Sequence, residues 1–183
     1  NYDSVSFLND TAINAERTSN GFKIQVAGGE NFETKKLIFA TGIKDTLPPI
    51  KGFSECWGIS VLHCPYCHGY EIRNKRTGIF GNGVTGFEFA KLISNWTNDL
   101  TIFTNGDSSF TTDQKNKLHT HHIKIIENKI DRLDHSNGYV NRILFKDGSV
   151  LPIDAIYAPS PFEQHCKIPE TLGCELTEEG YIK

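Results

Sequence analysis

Apolar and polar residues alternate in short runs along the first part of the chain, the period of half-buried strands. Val5–Leu8 and Ala12–Arg17 are predicted strands, followed by a turn at Ser19-Asn20-Gly21, where glycine supplies the positive φ of a tight hairpin. Phe22–Val26 alternates again and stops at Gly28-Gly29. Lys36–Ala40 reads as a buried-type strand running into Thr41-Gly42. Leu47-Pro48-Pro49-Ile50 is too proline-rich for a helix and reads as an extended linker.

Beyond the linker the pattern changes. Arg76–Phe80 reads as a strand entering Gly81-Asn82-Gly83-Val84-Thr85-Gly86. Phe89, Leu92, Ile93 and Trp96 then recur at the spacing of one helix face, and Leu100–Thr104 is the next strand. A short helix is expected over Thr111–Leu118, and strands over His122–Ile126 and Lys129–Leu133. A second hairpin turn at Ser136-Asn137-Gly138 leads into Tyr139–Phe145, a Lys146-Asp147-Gly148 turn and a strand over Asp154–Tyr157. The two Ser-Asn-Gly turns suggest a faint repeat, each followed by an alternating strand, a turn and a buried strand, ending at Ala40 and Ala158. In the first copy, the matching glycine loop would fall before residue 1.

Composition narrows the class. Among 183 residues, 38% are hydrophobic and 22% charged, a globular balance. No apolar run is long enough to span a membrane, and no signal-peptide pattern opens the chain. Nineteen Lys and Arg against 22 Asp and Glu, without a basic run, argue against nucleic acid as a partner. The five cysteines are too sparse for a disulfide scaffold and favour a reducing, cytoplasmic setting. The chain holds no methionine and begins with Asn1, which suits a processed or excised piece.

Gly81-x-Gly83-x-x-Gly86 draws its meaning from context, a strand before it and an amphipathic helix after it. Glycine there permits a tight turn, close approach of backbone to a pyrophosphate, and helix–strand packing. The alternative is an ordinary turn between strand and helix. The residues ending the next strand read the ribose, acidic for NAD and basic for NADP. Here they are Thr104-Asn105-Gly106-Asp107, with no Lys or Arg before Lys115, so the choice of nucleotide stays open.

His63-Cys64-Pro65-Tyr66-Cys67-His68 precedes the glycine loop closely. If Cys64 begins a helical turn its thiolate is stabilised, and His63 or His68 can relay a proton. Zinc would need a second pair, and Cys166 and Cys174 are wrongly spaced for one. A c-type haem string, a glutaredoxin string and a purely structural pair are the other readings. Redox use beside a nucleotide site is favoured. No metal site is assigned; His119, His121 and His122 read as surface histidines, and Cys166 and Cys174 as apolar filler.

In this order of motifs the chain resembles the low-molecular-weight thioredoxin reductase family. Ala40-Thr41-Gly42, Gly81–Gly86 with Phe87-Glu88, Ala158-Pro159-Ser160-Pro161 and Glu179-Gly180-Tyr181-Ile182 carry the resemblance beside the cysteine pair. It implies an α/β fold: a Rossmann-like three-layer NAD(P)-binding domain with an inserted β-meander, flanked by β-rich pieces of an FAD domain. The expected boundaries are 1–47 for the end of a first FAD-domain segment, 48–158 for the NAD(P)-binding and redox domain, and 159–183 for the returning segment. FAD and NADP are the implied cofactors, with NAD open. Gly81, Asn82, Gly83, Val84, Thr85, Gly86, Glu88, Thr104 and Asn105 are the implied nucleotide-binding positions.

Cys67 would face the flavin, Cys64 would exchange with the substrate, and His68 would replace the family's carboxylate as general acid and base. A hinge would lie at Pro48-Pro49 and at Ala158–Pro161. The implied partner is a thioredoxin-like protein or a small-molecule disulfide or dithiol, and the implied assembly a homodimer. His68 and the missing basic cluster lie closer to the gliotoxin-type dithiol oxidases, so a flavin-dependent dithiol oxidase is the second reading. A nucleotide-binding module without turnover is the third. The missing first glycine loop suits excision, and such a fragment alone would bind flavin poorly and be inactive.

Overall fold

The computed structural model describes residues 3–183. In chain order the elements are β1 (Ala12–Thr18), β2 (Gly21–Val26), β3 (Asn31–Thr34), β4 (Ile43–Asp45), α1 (Phe53–Cys56), β5 (Val61–Leu62), α2 (Pro65–His68) and β6 (Thr77–Phe80). They continue with α3 (Gly83–Ile93), β7 (Leu100–Phe103), α4 (Thr112–Thr120), β8 (Lys124–Ile126), β9 (Ile130–Ser136), β10 (Tyr139–Phe145) and β11 (Val150–Pro152). Last come β12 (Ala155–Tyr157), β13 (Phe162–Gln164) and α5 (Ile168–Thr171). The chain divides into two compact units, Asn1–Thr46 with Phe162–Lys183, and Leu47–Pro161.

The larger unit is a three-layer α/β structure. Its central sheet is parallel throughout, in the order β5-β12-β6-β7-β8. Neighbouring residues along each strand point to opposite faces. Leu62, Ile79, Ile102 and Tyr157 therefore pack with Ala90 and Ile93 of α3 and Leu118 of α4. Val61, Phe103 and Ile156 pack on the other face with Phe53 of α1 and with Leu133, Val140 and Ile143 of an antiparallel meander, order β11-β10-β9. The β9–β10 turn fits its sequence: Asn137 at φ 51° and Gly138 at φ 82° supply the two positive φ values of a primed hairpin turn. Thr111 caps α4 in a reciprocal box with Gln114, confirming that helix.

Helix α3 forms as expected, but its buried face is Gly86, Ala90 and Ile93. Phe89 is half-buried and Trp96 lies beyond the helix end. The small residues let α3 lie close on the sheet, which pushes the large ones to the flanks.

The smaller unit holds the β1-β2-β3 meander, the antiparallel pair β4–β13 and α5. Its core is small: Ala15, Ile168 and Leu172, with Phe22, Ile24, Leu37, Phe39 and Cys166 against them. Two expected strands do not form. Val5–Leu8 is without regular structure, and its Phe7 is 95% exposed. Lys36–Ala40 is also outside any ladder; Leu37 and Phe39 turn to the core while Ile38 is 87% exposed. The alternation of an extended chain persists there, but a strand needs a neighbour to take its N–H and C=O groups, and none lies beside it among the described residues.

The two Ser-Asn-Gly triplets do head matching meanders but are used differently. Thr18 pairs with Gly21 across Ser19-Asn20, so Gly21, at φ 151°, opens β2 instead of forming the turn. Glycine is required there because a Cβ would stand 2.1 Å from the Thr34 carbonyl oxygen.

Candidate active site

Edge strand β5 delivers the chain to the cysteine pair. Cys64, extended at φ −110° and ψ 107°, is the N-cap of the single turn α2, and Pro65 occupies the first helical position, where its missing N–H costs nothing. The backbone N–H of Cys67 donates to the Cys64 sulfur at 3.3 Å. Both cysteines are free thiols here, Cys64 half-buried and Cys67 exposed. The Cys67 thiol hydrogen-bonds to Cys64, which draws the Cys64 pKa down, helped by the backbone N–H groups of Cys67 and Tyr66. The same contact pushes Cys67 up. Cys64 is thus the first of the pair to ionise.

Gly69 closes the turn against Trp96, where a Cβ would stand 2.3 Å from the indole. Around the pair stand exposed Tyr66 and Tyr70, the latter under the Arg73 guanidinium at 3.8 Å, and His63 stacked on Trp57 at 6.1 Å. His68 ends the turn, and its Nδ1 is buried with no hydrogen-bond partner among the described residues.

The Tyr157 hydroxyl is likewise buried and unpartnered. Tyr157 pairs in register with Leu62, two residues before Cys64. Burial first, then the charges of Cys64, Glu71 and Cys67, push its pKa up to about 12. Sequence reasoning missed it: a tyrosine in an apolar strand reads as core, and its alignment beside β5 depends on pairing across a long stretch of chain.

The glycine loop leaves β6 and starts α3. Gly81 and Gly86 face each other across it; a Cβ on Gly86 would stand 3.0 Å from the Gly81 carbonyl carbon and 3.3 Å from the Phe110 ring. Gly83, at φ 55°, needs glycine for its backbone and lies against Ser109. Asn82 caps the helix, its Oδ1 accepting from Gly83 N at 2.8 Å, Ser109 N at 2.8 Å and Ser109 Oγ at 3.1 Å. Its Nδ2 donates to the Asp107 carbonyl at 2.9 Å. The N–H groups of Val84 and Thr85 have no protein acceptor among the described residues. A cradle a Cβ would fill, with free N–H groups at a helix start, fits a pyrophosphate.

The other expected nucleotide-binding positions differ in how free they are. Thr104 Oγ1 donates to Gly106 O at 2.6 Å, and Asn105 Oδ1 accepts from Ile130 N at 2.7 Å, so both side chains hold the loop itself. Glu88 is exposed and paired with Lys91 at 2.8 Å. Glycine loop and cysteine pair belong to one unit, and both lie where parallel strands end, the place such sheets bind ligands.

Residues 3–183 match the family profile for pyridine nucleotide-disulphide oxidoreductases. The chain is 27% identical over 195 residues to thioredoxin reductase tcpT of Claviceps purpurea, covering 100% of this chain and 60% of that protein. It is 29% identical to thioredoxin reductase aclD of Aspergillus oryzae, covering 88% and 54%. Among solved structures, HlmI superposes with a TM-score of 0.87 at 27% identity, covering 98% of this chain and 57% of HlmI. An oxidoreductase from Agrobacterium tumefaciens gives 0.82 at 26%, covering 93% and 56%. The chain therefore spans a little over half the length of these relatives. With a profile matched from residue 3 to residue 183, the chain belongs to the pyridine nucleotide-disulphide oxidoreductase family.

Proposed function

We propose that this chain carries the redox pair and nucleotide loop of a thioredoxin reductase-like flavoprotein. In this reading electrons pass from NAD(P)H through FAD to Cys64-Cys67, and on to a thioredoxin-like protein or a small-molecule disulfide. The observation that carries it is the geometry of the pair: Cys64 caps a single helical turn and accepts the Cys67 N–H at 3.3 Å, in the same compact unit as the glycine loop. Residues 48–158 are read as the NAD(P)-binding and redox domain, and 1–47 and 159–183 as parts of an FAD domain; the working assembly is a homodimer.

The bound flavin and nicotinamide supply the two-electron hydride chemistry. The chain's own work is thiol–disulfide exchange. The Cys64 thiolate attacks one sulfur of the substrate disulfide, forming a mixed disulfide and releasing the other sulfur as a thiolate, which His68 protonates. Cys67 then gives its proton to His68 and attacks the Cys64 sulfur. The second substrate sulfur leaves reduced, and Cys64-Cys67 becomes a disulfide. Exposed Cys67 and Tyr66 leave the pair open to a macromolecular partner.

A second reading, oxidation of small dithiols, is favoured by one feature: no lysine or arginine lies between Thr104 and Lys115, where a gripped NADP phosphate would need one. The test uses the full-length, flavin-loaded protein. NAD(P)H-dependent reduction of a thioredoxin disulfide, abolished by Cys64→Ser and by Cys67→Ser, supports the first reading. Peroxide formed from a dithiol and oxygen without nucleotide supports the second. Full activity in both variants overturns both.

A further inference from the structure

Tyr157 is fully buried, and its hydroxyl finds no hydrogen-bond partner among the described residues. A ring placed only to fill the core would serve as phenylalanine, without the cost of an unpaired hydroxyl. The face of the sheet on which it stands is fixed. Tyr157 pairs with Leu62, the Ala158 N–H donating to the Leu62 carbonyl at 2.8 Å, and both side chains join the core beneath α3. From Leu62 the chain alternates onward. His63 stacks on Trp57, which packs against the core of the opposite face. Cys64, extended at φ −110° and ψ 107°, therefore returns to the face of Leu62 and Tyr157. The turn it caps ends at Gly69 against Trp96, just beyond α3 and on that same side. With strands about 4.8 Å apart and a rise of about 3.3 Å per residue, the diagonal from Tyr157 to Cys64 is about 8 Å, within reach of a long aromatic side chain.

We propose that Tyr157 is a positioning residue of the redox pair, its hydroxyl donating to the Cys64 sulfur once that sulfur is a thiolate. The inference rests on the redox reading of the pair above and deepens it. A neutral thiol is a weak acceptor, which accounts for a hydroxyl left unpaired beside the dithiol; a thiolate is a strong one. The bond thus favours one protonation state of Cys64 and adds nothing to the other. Burial first, then the charge of Cys64 ahead of Glu71 and Cys67, keeps the Tyr157 hydroxyl protonated, so it stays a donor when Cys64 ionises. Between residues 63 and 71 the other titratable groups are His63, Tyr66, Cys67, His68, Tyr70 and Glu71. Of β12, only Tyr157 titrates. The thiolate then takes the Cys67 N–H from the turn and the Tyr157 hydroxyl from the sheet.

The test reads Cys64 reactivity, which needs no turnover. The full-length, flavin-loaded protein is reduced, freed of reductant and alkylated with iodoacetamide across pH 5–10, with Cys64 followed by peptide mass spectrometry in the parent and in Tyr157→Phe. In Tyr157→Phe, Cys64 should be alkylated about tenfold more slowly at pH 7, its profile displaced up the pH axis, with no loss of stability to urea. A Cys64 profile left in place, as when the hydroxyl serves only the core or His68, overturns the proposal. A second readout keeps Tyr157 itself, with tyrosine 13C-labelled at Cζ. One resonance that does not titrate below pH 10 should shift as Cys64 ionises and stay still in Cys64→Ser; absence of that resonance overturns the proposal too. Full disulfide-reducing activity in both Cys64→Ser and Cys67→Ser would instead overturn the redox reading beneath it, a result separate from the alkylation profile.

Discussion

Cys67 donates its backbone N–H to the sulfur of Cys64, with N···S at 3.3 Å. One cysteine is therefore the acceptor of the pair and the other the donor, an asymmetry set by the helical turn between them.

The first prediction concerns thiol reactivity. Cys64 is alkylated by iodoacetamide from a lower pH than a free thiol, and Cys67 only at higher pH. Cys67→Ala removes the thiol donor and moves the Cys64 profile up the pH axis. Peptide mapping by mass spectrometry across pH 5–10 reads both profiles; a Cys64 profile that stays in place in Cys67→Ala contradicts this account.

Gly86→Ala tests the turn between β6 and α3. The new Cβ meets backbone at 3.0 Å, so strand and helix must separate, at a cost of about 1–3 kcal/mol. Urea denaturation measures the loss, and nucleotide affinity falls with it.

Ser60 is buried, donating to Gly138 O at 2.7 Å and accepting from Val140 N at 2.9 Å. Ser60→Ala leaves two buried backbone groups without partners and lowers stability by about 1–3 kcal/mol. A Tm unchanged from the parent protein would count against this.

Tyr157→Phe has the opposite sign. Its hydroxyl is buried with no hydrogen-bond partner among the described residues, so deleting it removes a desolvation penalty, and the variant should unfold at the same or higher urea concentration. A clear loss of stability would show that the hydroxyl has a partner, such as a buried water.

The Arg76–Asp154 pair joins the starts of β6 and β12, with Arg76 N, Nε and one terminal nitrogen all donating to the carboxylate. These bonds hold the Asp154 pKa down. A carboxylate lowered by folding contributes stability above its unfolded pKa and loses it as pH falls through the folded value. Asp154→Asn should therefore cost about 1 kcal/mol at pH 7, given its partial exposure, and nothing once the pH lies below the folded value.

What was legible in the chain followed from local chemistry. Asn137-Gly138 demands one kind of turn, Thr111 with Gln114 caps one helix, and the glycine loop sits where strand meets helix. What escaped was decided at a distance. KLIFA has a strand's composition, but a strand is a relation between two segments, and composition records only one. The buried face of α3 differs from its stripe of large apolar residues because Gly86 and Ala90 set how near the helix lies to the sheet. Nothing local marks Asn82 as the link to residues 107–109, since that contact joins two separate loops.

Strand β5 lies at the sheet edge beside β12, and Ser60 just before it is clamped by the β9–β10 turn. Both anchors come much later in the chain than the cysteines they steady. During synthesis Cys64 and Cys67 leave the ribosome well before either anchor exists, so they pass through a period as unplaced, reactive thiols. The turn that sets the pair's asymmetry is local, but both anchors of the strand that carries it are contributed later in the chain. A nascent chain arrested before β12 would carry this pair on an unanchored strand, open to any oxidant or stray disulfide it met.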